Sequence, residues 1–424
     1  MGSIKYFAKS ISEVSESSRW FATGGDIHFD AIKEVAVQST DKVRYEPYAA
    51  PADDEAEFEV EIVKNRTALD EGYDEKGETL VDGLIFGKTY VYEAWLFRNG
   101  KIPADFETIK WAYSYESEQG KVEGVFEGKT GKKLTISIEA LNVCGRNLTI
   151  YAYICNKERG GGNETWVHYR FRYFSRKVIQ ENLDRRIATN ALINQSTTSL
   201  CGMAAIFYAF LRKAPGDYSK IAYDLHRRGE CTLNNYTIKP AKIMYDMQPT
   251  LENEDYPGER TDRNGHDLKF PKLMDQLDWI ILASTRSSES NFGYSGKNSE
   301  TASAINWGSV MEPLMKDLMG YTVFDHTAVI NRGDFPATMK TMQKEYNEGY
   351  QIIMLINVNM LYHKERILNI SDWHYIVFEG DLHIENDYSA YIFSYYSWGE
   401  LNKNKKFTAS VFNSTFHGYY KIKK

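Results

Sequence analysis

From Phe58 the chain alternates apolar and acidic positions, with Phe58, Val60 and Ile62 set against Glu57, Glu59 and Glu61. That period of two predicts a strand with one wet face. Further strands are predicted at Thr89 to Phe97 (TYVYEAWLF), Ile109 to Tyr113, Leu134 to Leu141 and Asn147 to Cys155, each bounded by turn residues such as Gly87, Asn99-Gly100 and Gly131. Short strands in series without long helical patterns predict an antiparallel β-sandwich, immunoglobulin-like in outline, with Trp95 and Trp111 as core aromatics. Residues 1 to about 50 carry mixed signals and receive no assignment.

Lys157 to Glu164 (KERGGGNE) sets three glycines among polar residues, which predicts a linker and a boundary between residues 1–156 and 165–424. Beyond it the pattern changes. Trp166 to Phe174 alternates like a strand, and Arg176 to Leu192 and Tyr218 to Arg228 read as helices, the second ended by Gly229. Gln248 to His266 is long, polar and rich in Pro and Gly, so an irregular insertion is expected there. Short helices come next at Met274 to Ala283 and Val310 to Met319. Gln351 to Asn357, Trp373 to Phe378 and Ala390 to Tyr396 then read as strands, so the second part, and the chain as a whole, is α+β.

The most informative stretch is Gln195 to Arg212 (QSTTSLCGMAAIFYAFLR), which puts Cys201 at the mouth of a helix with almost no polar face. Such a helix is buried. Its free first-turn N–H groups and the positive end of its dipole favour a thiolate at Cys201, as a nucleophile requires; a small buried core cysteine is the alternative.

Composition removes other classes of function. The 424 residues are 42% hydrophobic and 14% aromatic, enough for two or three packed cores. A net charge of −7 gives no footprint for nucleic acid. Cys144, Cys155, Cys201 and Cys231 lack CxxC spacing, and His168, His226, His326, His363 and His383 lack ligand spacing, so no metal and no cofactor is expected; a Cys144–Cys155 disulfide remains open. No secretory leader and no membrane span are read from the chain.

A Gln six residues before a helix-opening Cys (Gln195, Cys201), a distant His on a strand (His374) and a following strand ending in Ser397-Trp398-Gly399 resemble the papain-like cysteine peptidase superfamily. The CGMAA form is similar to its bacterial, bacteriocin-processing branch. The resemblance covers about residues 165 to 424. It implies Cys201 as nucleophile, His374 as general base and acid, and Gln195 as oxyanion donor. Family members orient the histidine with Asn or Asp where this chain has Tyr396, so Tyr396, Ser394 or Asp381 is expected to take that duty.

GKTYVYEAWLF, IKWAYSY and CGRNLTIYAYI are similar to the β modules of antibacterial effectors of Bacteroidetes type VI secretion systems. That likeness implies a toxin exported by a dedicated machine, acting in the periplasm of a recipient cell. Its implied partners are a peptide, protein or peptidoglycan-peptide substrate, a component of the secretion apparatus and a cognate immunity protein. A peptidoglycan amidase or endopeptidase, or an inactive binding protein that keeps the fold, are the alternatives.

Overall fold

The computed structural model describes residues 59–189, 192–262, 266–289, 293–300, 308–327, 333–365 and 373–424, and the described chain from residue 59 onward belongs to one compact unit. Residues 1 to about 50, which the sequence pattern does not assign, lie outside the described residues. The fold is mixed α+β with antiparallel sheets.

The first part is all β. Its strands are β1 (Val60–Asn65), β2 (Asp70–Tyr73), β3 (Leu80–Gly83), β4 (Thr89–Phe97), β5 (Lys110–Ser117), β6 (Gly120–Thr130), β7 (Lys133–Ser137), β8 (Arg146–Tyr153) and β9 (Gly161–Val167). They form a sheet β1-β4-β7, a sheet β6-β5-β8-β9 and the hairpin β2-β3. Val60, Val63, Tyr90, Tyr92 and Ala94 of the first sheet and Trp111, Leu148, Ile150 and Ala152 of the second share one core. Trp111 is buried as expected. Trp95 is not: it is 43% exposed, with Lys64 Nζ 4.4 Å and the Arg66 guanidinium 4.2 Å from its ring centroid, because it alternates with buried Ala94 onto the wet face of β4.

The linker expectation fails at this point. Lys157–Arg159 is a single 3₁₀ turn, and the glycines open β9, whose whole length pairs with β8. A Cβ on Gly161 would lie 2.7 Å from the carbonyl of Glu61, so the glycine is there for a close backbone approach rather than for freedom. The β region therefore runs to Val167, and the strand expected over Trp166 to Phe174 stops there. Arg227 Nε donates to Cys144 O at 2.8 Å and Tyr73 N to Arg172 O at 2.8 Å, joining the β region to the second part of the chain. Cys144 and Cys155 are not joined in a disulfide; Cys144 is buried and Cys155 exposed.

In the second part, α1 (Arg176–Ala188), α2 (Cys201–Leu211) and α3 (Pro215–Arg228) come first. Gly229, at φ 73°, ends α3 as expected. The hairpins β10 (Cys231–Leu233)/β11 (Tyr236–Ile238) and β12 (Gly258–Thr261)/β13 (Asp267–Leu273) come after it, so the expected irregular insertion holds the start of a hairpin. Two helical segments, Gln276–Ser288 and Gly308–Leu318, each contain a π-helical stretch.

The large sheet collects β14 (Thr322–Asp325), β15 (Gln351–Asn357), β16 (Trp373–Phe378), β17 (His383–Ile384), β18 (Ala390–Ser397), β19 (Glu400–Thr408) and β20 (Phe416–Lys423) in the order β14-β20-β15-β16-β18-β17, with β19 also on β18. Both of its faces are covered. Ile353, Leu355, Tyr375, Val377 and Tyr396 join the core of α1, α2 and α3. Ile352, Met354, Ile376, Phe378 and Tyr395 join a second core under α4 (Phe335–Asn347) and α5 (Ala409–Thr415). This explains why Gln351–Asn357 is buried at every position. Among the described residues no helix is long and apolar enough to cross a membrane.

Candidate functional site

Cys201 is the first residue of α2, a helix buried at every position. β16 pairs with β18 only through Val377 and Phe378. Farther along, Glu379 N donates to Ser394 O at 2.8 Å, so the N–H groups of alternate residues on β16 point toward β18. The N–H of Tyr375 points the same way past the end of the ladder, and it is one of the backbone groups that act on the Cys201 thiol against burial. Cys201 and Tyr375 belong to one core.

His374 is 5% exposed. Its Nε2 lies 2.8 Å from Ser397 Oγ, and its ring stacks on Trp398 with centroids 4.5 Å apart and planes at 27°. Trp398 holds a left-handed backbone at φ 49° in the turn between β18 and β19, a conformation that costs about 1–3 kcal/mol for a non-glycine residue and that clusters at functional sites. Gly399 closes that turn against the next loop: a Cβ there would be 3.0 Å from Asn194 Cβ.

That loop carries Gln195. Gln195 is buried, and its Nε2 donates to Thr198 O at 2.7 Å while Thr198 Oγ1 donates back to Gln195 O at 2.6 Å. One amide hydrogen is therefore committed and one remains. Ser196, at φ 53°, makes the turn. The loop is braced from below. Asn194 N donates to Asp278 Oδ2 at 2.9 Å, and Asp278, fully buried, is paired with the buried Arg186 at 2.6 Å.

The expected partners of the histidine are elsewhere. The Tyr396 hydroxyl donates to Ile193 O, and its ring lies flat on Tyr208 of α2 at 3.7 Å and 3°. Ser394 Oγ donates to Asp381 Oδ2 at 2.8 Å and accepts from Asn404 N at 3.1 Å. Neither Tyr396, Ser394 nor Asp381 holds His374. The reason is the pleat: His374 shares its face of β16 with Ile376 and Phe378, and on β18 that face belongs to Tyr395 and Ser397, whereas Tyr396 turns to α2. Ser397 and the Trp398 ring were visible only as parts of a motif. Strand parity was the signal that could have assigned them.

The electrostatics also differ from expectation. Burial pushes the Cys201 thiol up to about 11, against the backbone N–H groups of Tyr375, Gly202 and Cys201 itself, and burial takes His374 down from its ordinary 6.5 to about 3. Moving a proton across that gap costs about 11 kcal/mol, and even unit charges 4 Å apart at an effective dielectric of about 20 recover only about 4 kcal/mol. At rest the thiol and the imidazole are both neutral, not an ion pair. Desolvation outweighs the helix terminus.

Two other buried histidines have structural work. His168 bonds Asp70 O and Tyr73 O, and His226 bonds Phe174 O. Among the described residues no group of three or more His, Cys, Asp or Glu is placed to hold a metal ion. The arrangement offers a buried thiol, a histidine on the strand that α2 packs against and an amide donor on the loop before the thiol, which are the residue types of acyl transfer. No protein-family model matches this sequence, and no curated protein or solved structure matches it either.

Proposed function

We propose that this protein is a cysteine hydrolase of papain-like type that cleaves a peptide or amide bond through a thioester on Cys201. The observation that carries the reading is that the helix-opening Cys201 shares a core with Tyr375 of β16, while Ser397 and Trp398 hold the ring of His374, the residue before Tyr375. In the reaction, Cys201 Sγ attacks the carbonyl carbon as its proton passes, by way of water or a substrate group, to His374. The oxyanion is met by the Cys201 N–H, free because it lies in the first helical turn, and by the second amide hydrogen of Gln195. Collapse expels the amine with the proton from His374, and water assisted by His374 then hydrolyses the thioester.

The β region, with its two facing sheets, is proposed as an immunoglobulin-like delivery or binding module of a type VI secretion effector. On this reading the toxin acts in the periplasm of a recipient cell, where a peptide, a protein or a peptidoglycan peptide is its substrate and an immunity protein its inhibitor. The test is expression of the chain with a periplasmic leader in a bacterial host, beside Cys201→Ala. Growth arrest by the first and not the second supports the reading, and equal effects overturn it. A second reading, a binding protein that keeps the fold without catalysis, draws on the closed site: Cys201 is 8% exposed and, among the described residues, no carboxylate holds His374.

A further inference from the structure

We propose that Ser397 is the positioning residue of His374 and holds it, at rest, in the tautomer with its proton on Nδ1, while Tyr396 serves instead as the brace of the Ile193–Gln195 loop. The inference rests on the hydrolase reading for its consequence, but not for its evidence.

Ser397 is 3% exposed, and among the described residues His374 is its side chain's hydrogen-bond partner. A hydroxyl buried with one partner must place its hydrogen somewhere. Leaving it unmade costs about 1–3 kcal/mol, so it donates to Nε2, and Nε2 must then be the unprotonated nitrogen. An asparagine or aspartate oxygen in this place would only accept. It would force the opposite tautomer, with Nε2–H outward and a bare Nδ1 ready to take a proton from sulfur. A serine reverses that preference.

Tyr396 could not have supplied either arrangement. Its ring is clamped against Tyr208 on the far pleat of β18, and its hydroxyl is spent on Ile193 O, two residues before Gln195. With Asp278 on Asn194 N, the loop that presents Gln195 is fixed at two successive residues. The two duties that a single amide residue would not combine are thus divided between neighbours pointing in opposite directions.

The consequence is a proton switch. At rest His374 carries its proton on Nδ1 and cannot accept one there. Activation moves the Nδ1 proton away through water or a substrate group and brings a proton to Nε2. The Ser397 hydroxyl then turns, so that Oγ accepts from Nε2–H; no atom is gained or lost.

The experiment is ¹⁵N NMR of the histidine-labelled full chain near pH 7, with the His374 resonances assigned by His374→Asn. The wild type should show a protonated Nδ1 and a bare Nε2. Ser397→Thr should preserve that pattern, and Ser397→Ala should move the proton to Nε2, the form a free imidazole side chain prefers. Tyr396→Phe should leave it untouched. A wild-type signal already protonated on Nε2, or one that Ser397→Ala does not move, overturns the proposal. Should Ser397→Ala not fold, Ser397→Cys, a poorer donor, gives the same readout through a partial shift, and its absence counts against the proposal. Failure of the protein to hydrolyse any amide would defeat the hydrolase reading alone and leave these resonances as they are.

Discussion

Replacing His374 by Asn should change stability by an amount that depends on pH, and the dependence measures how the site holds its base. Near pH 7 the variant loses the bond to Ser397 and the stack on Trp398, together about 2 kcal/mol. In the wild type the imidazole must stay neutral in the fold down to about 3, whereas in the unfolded chain it takes a proton at 6.5. The folded pKa is the lower one, so the wild type's stability is fully present above 6.5 and drains away as the pH falls from 6.5 toward 3. At about pH 5 the loss is about 2 kcal/mol. Wild type and variant should then unfold at the same urea concentration, and below that pH the variant should be the more stable. His226, also lowered to about 3 by burial, contributes the same slope to both proteins and cancels. Urea unfolding at several pH values, extrapolated to water, is the assay. A gap that stays near 2 kcal/mol from pH 7 to pH 5 would mean that His374 titrates normally, and the buried neutral base would have to be abandoned.

Iodoacetamide alkylation of Cys201 should rise about tenfold per pH unit through neutral and alkaline pH, as a thiol pushed up to about 11 requires; a plateau below pH 7, the behaviour implied by the helix terminus alone, would contradict it. Asp278→Ala should cost about 3–5 kcal/mol in urea unfolding, because it strands the buried Arg186 charge and frees Asn194 N, and a loss under about 1 kcal/mol would refute the brace. Tyr396→Phe keeps the stack on Tyr208 but leaves Ile193 O unpaired, for about 1–3 kcal/mol by the same assay. Limited proteolysis should spare Gly160–Gly162, since β9 pairs there with β8; early cleavage at these glycines would restore the linker.

The parts of the site that a sequence displays are those set by local period. Cys201 at the start of an all-apolar helix and His374 on an alternating strand are both where those patterns put them. What a sequence does not display is which residue across the sheet faces which. Ser397, rather than Tyr396 or Ser394, meets His374 because a step of one residue reverses the pleat, and the bulge between Phe393 and Tyr395 alters the register beside it. The glycine run misled for a similar reason: only the nearness of Glu61, far away in sequence, explains Gly161. β6 was missed because its intermediate positions alternate with exposed ones and none is buried, so it lacks an apolar face. β20 was missed because its charged end disguises a buried strand, with Lys421 paired to Glu345 at 2.7 Å.

The most direct measurement of the central claim is the trapping of an acyl-enzyme. The full chain is mixed with p-nitrophenyl acetate, quenched in acid and digested, and the acetyl group is located by mass spectrometry. The account predicts a thioester on Cys201 that disappears in His374→Ala, with Cys144, Cys155 and Cys231 unlabelled. A label spread over the four cysteines, or one on Cys201 that persists without His374, would contradict it.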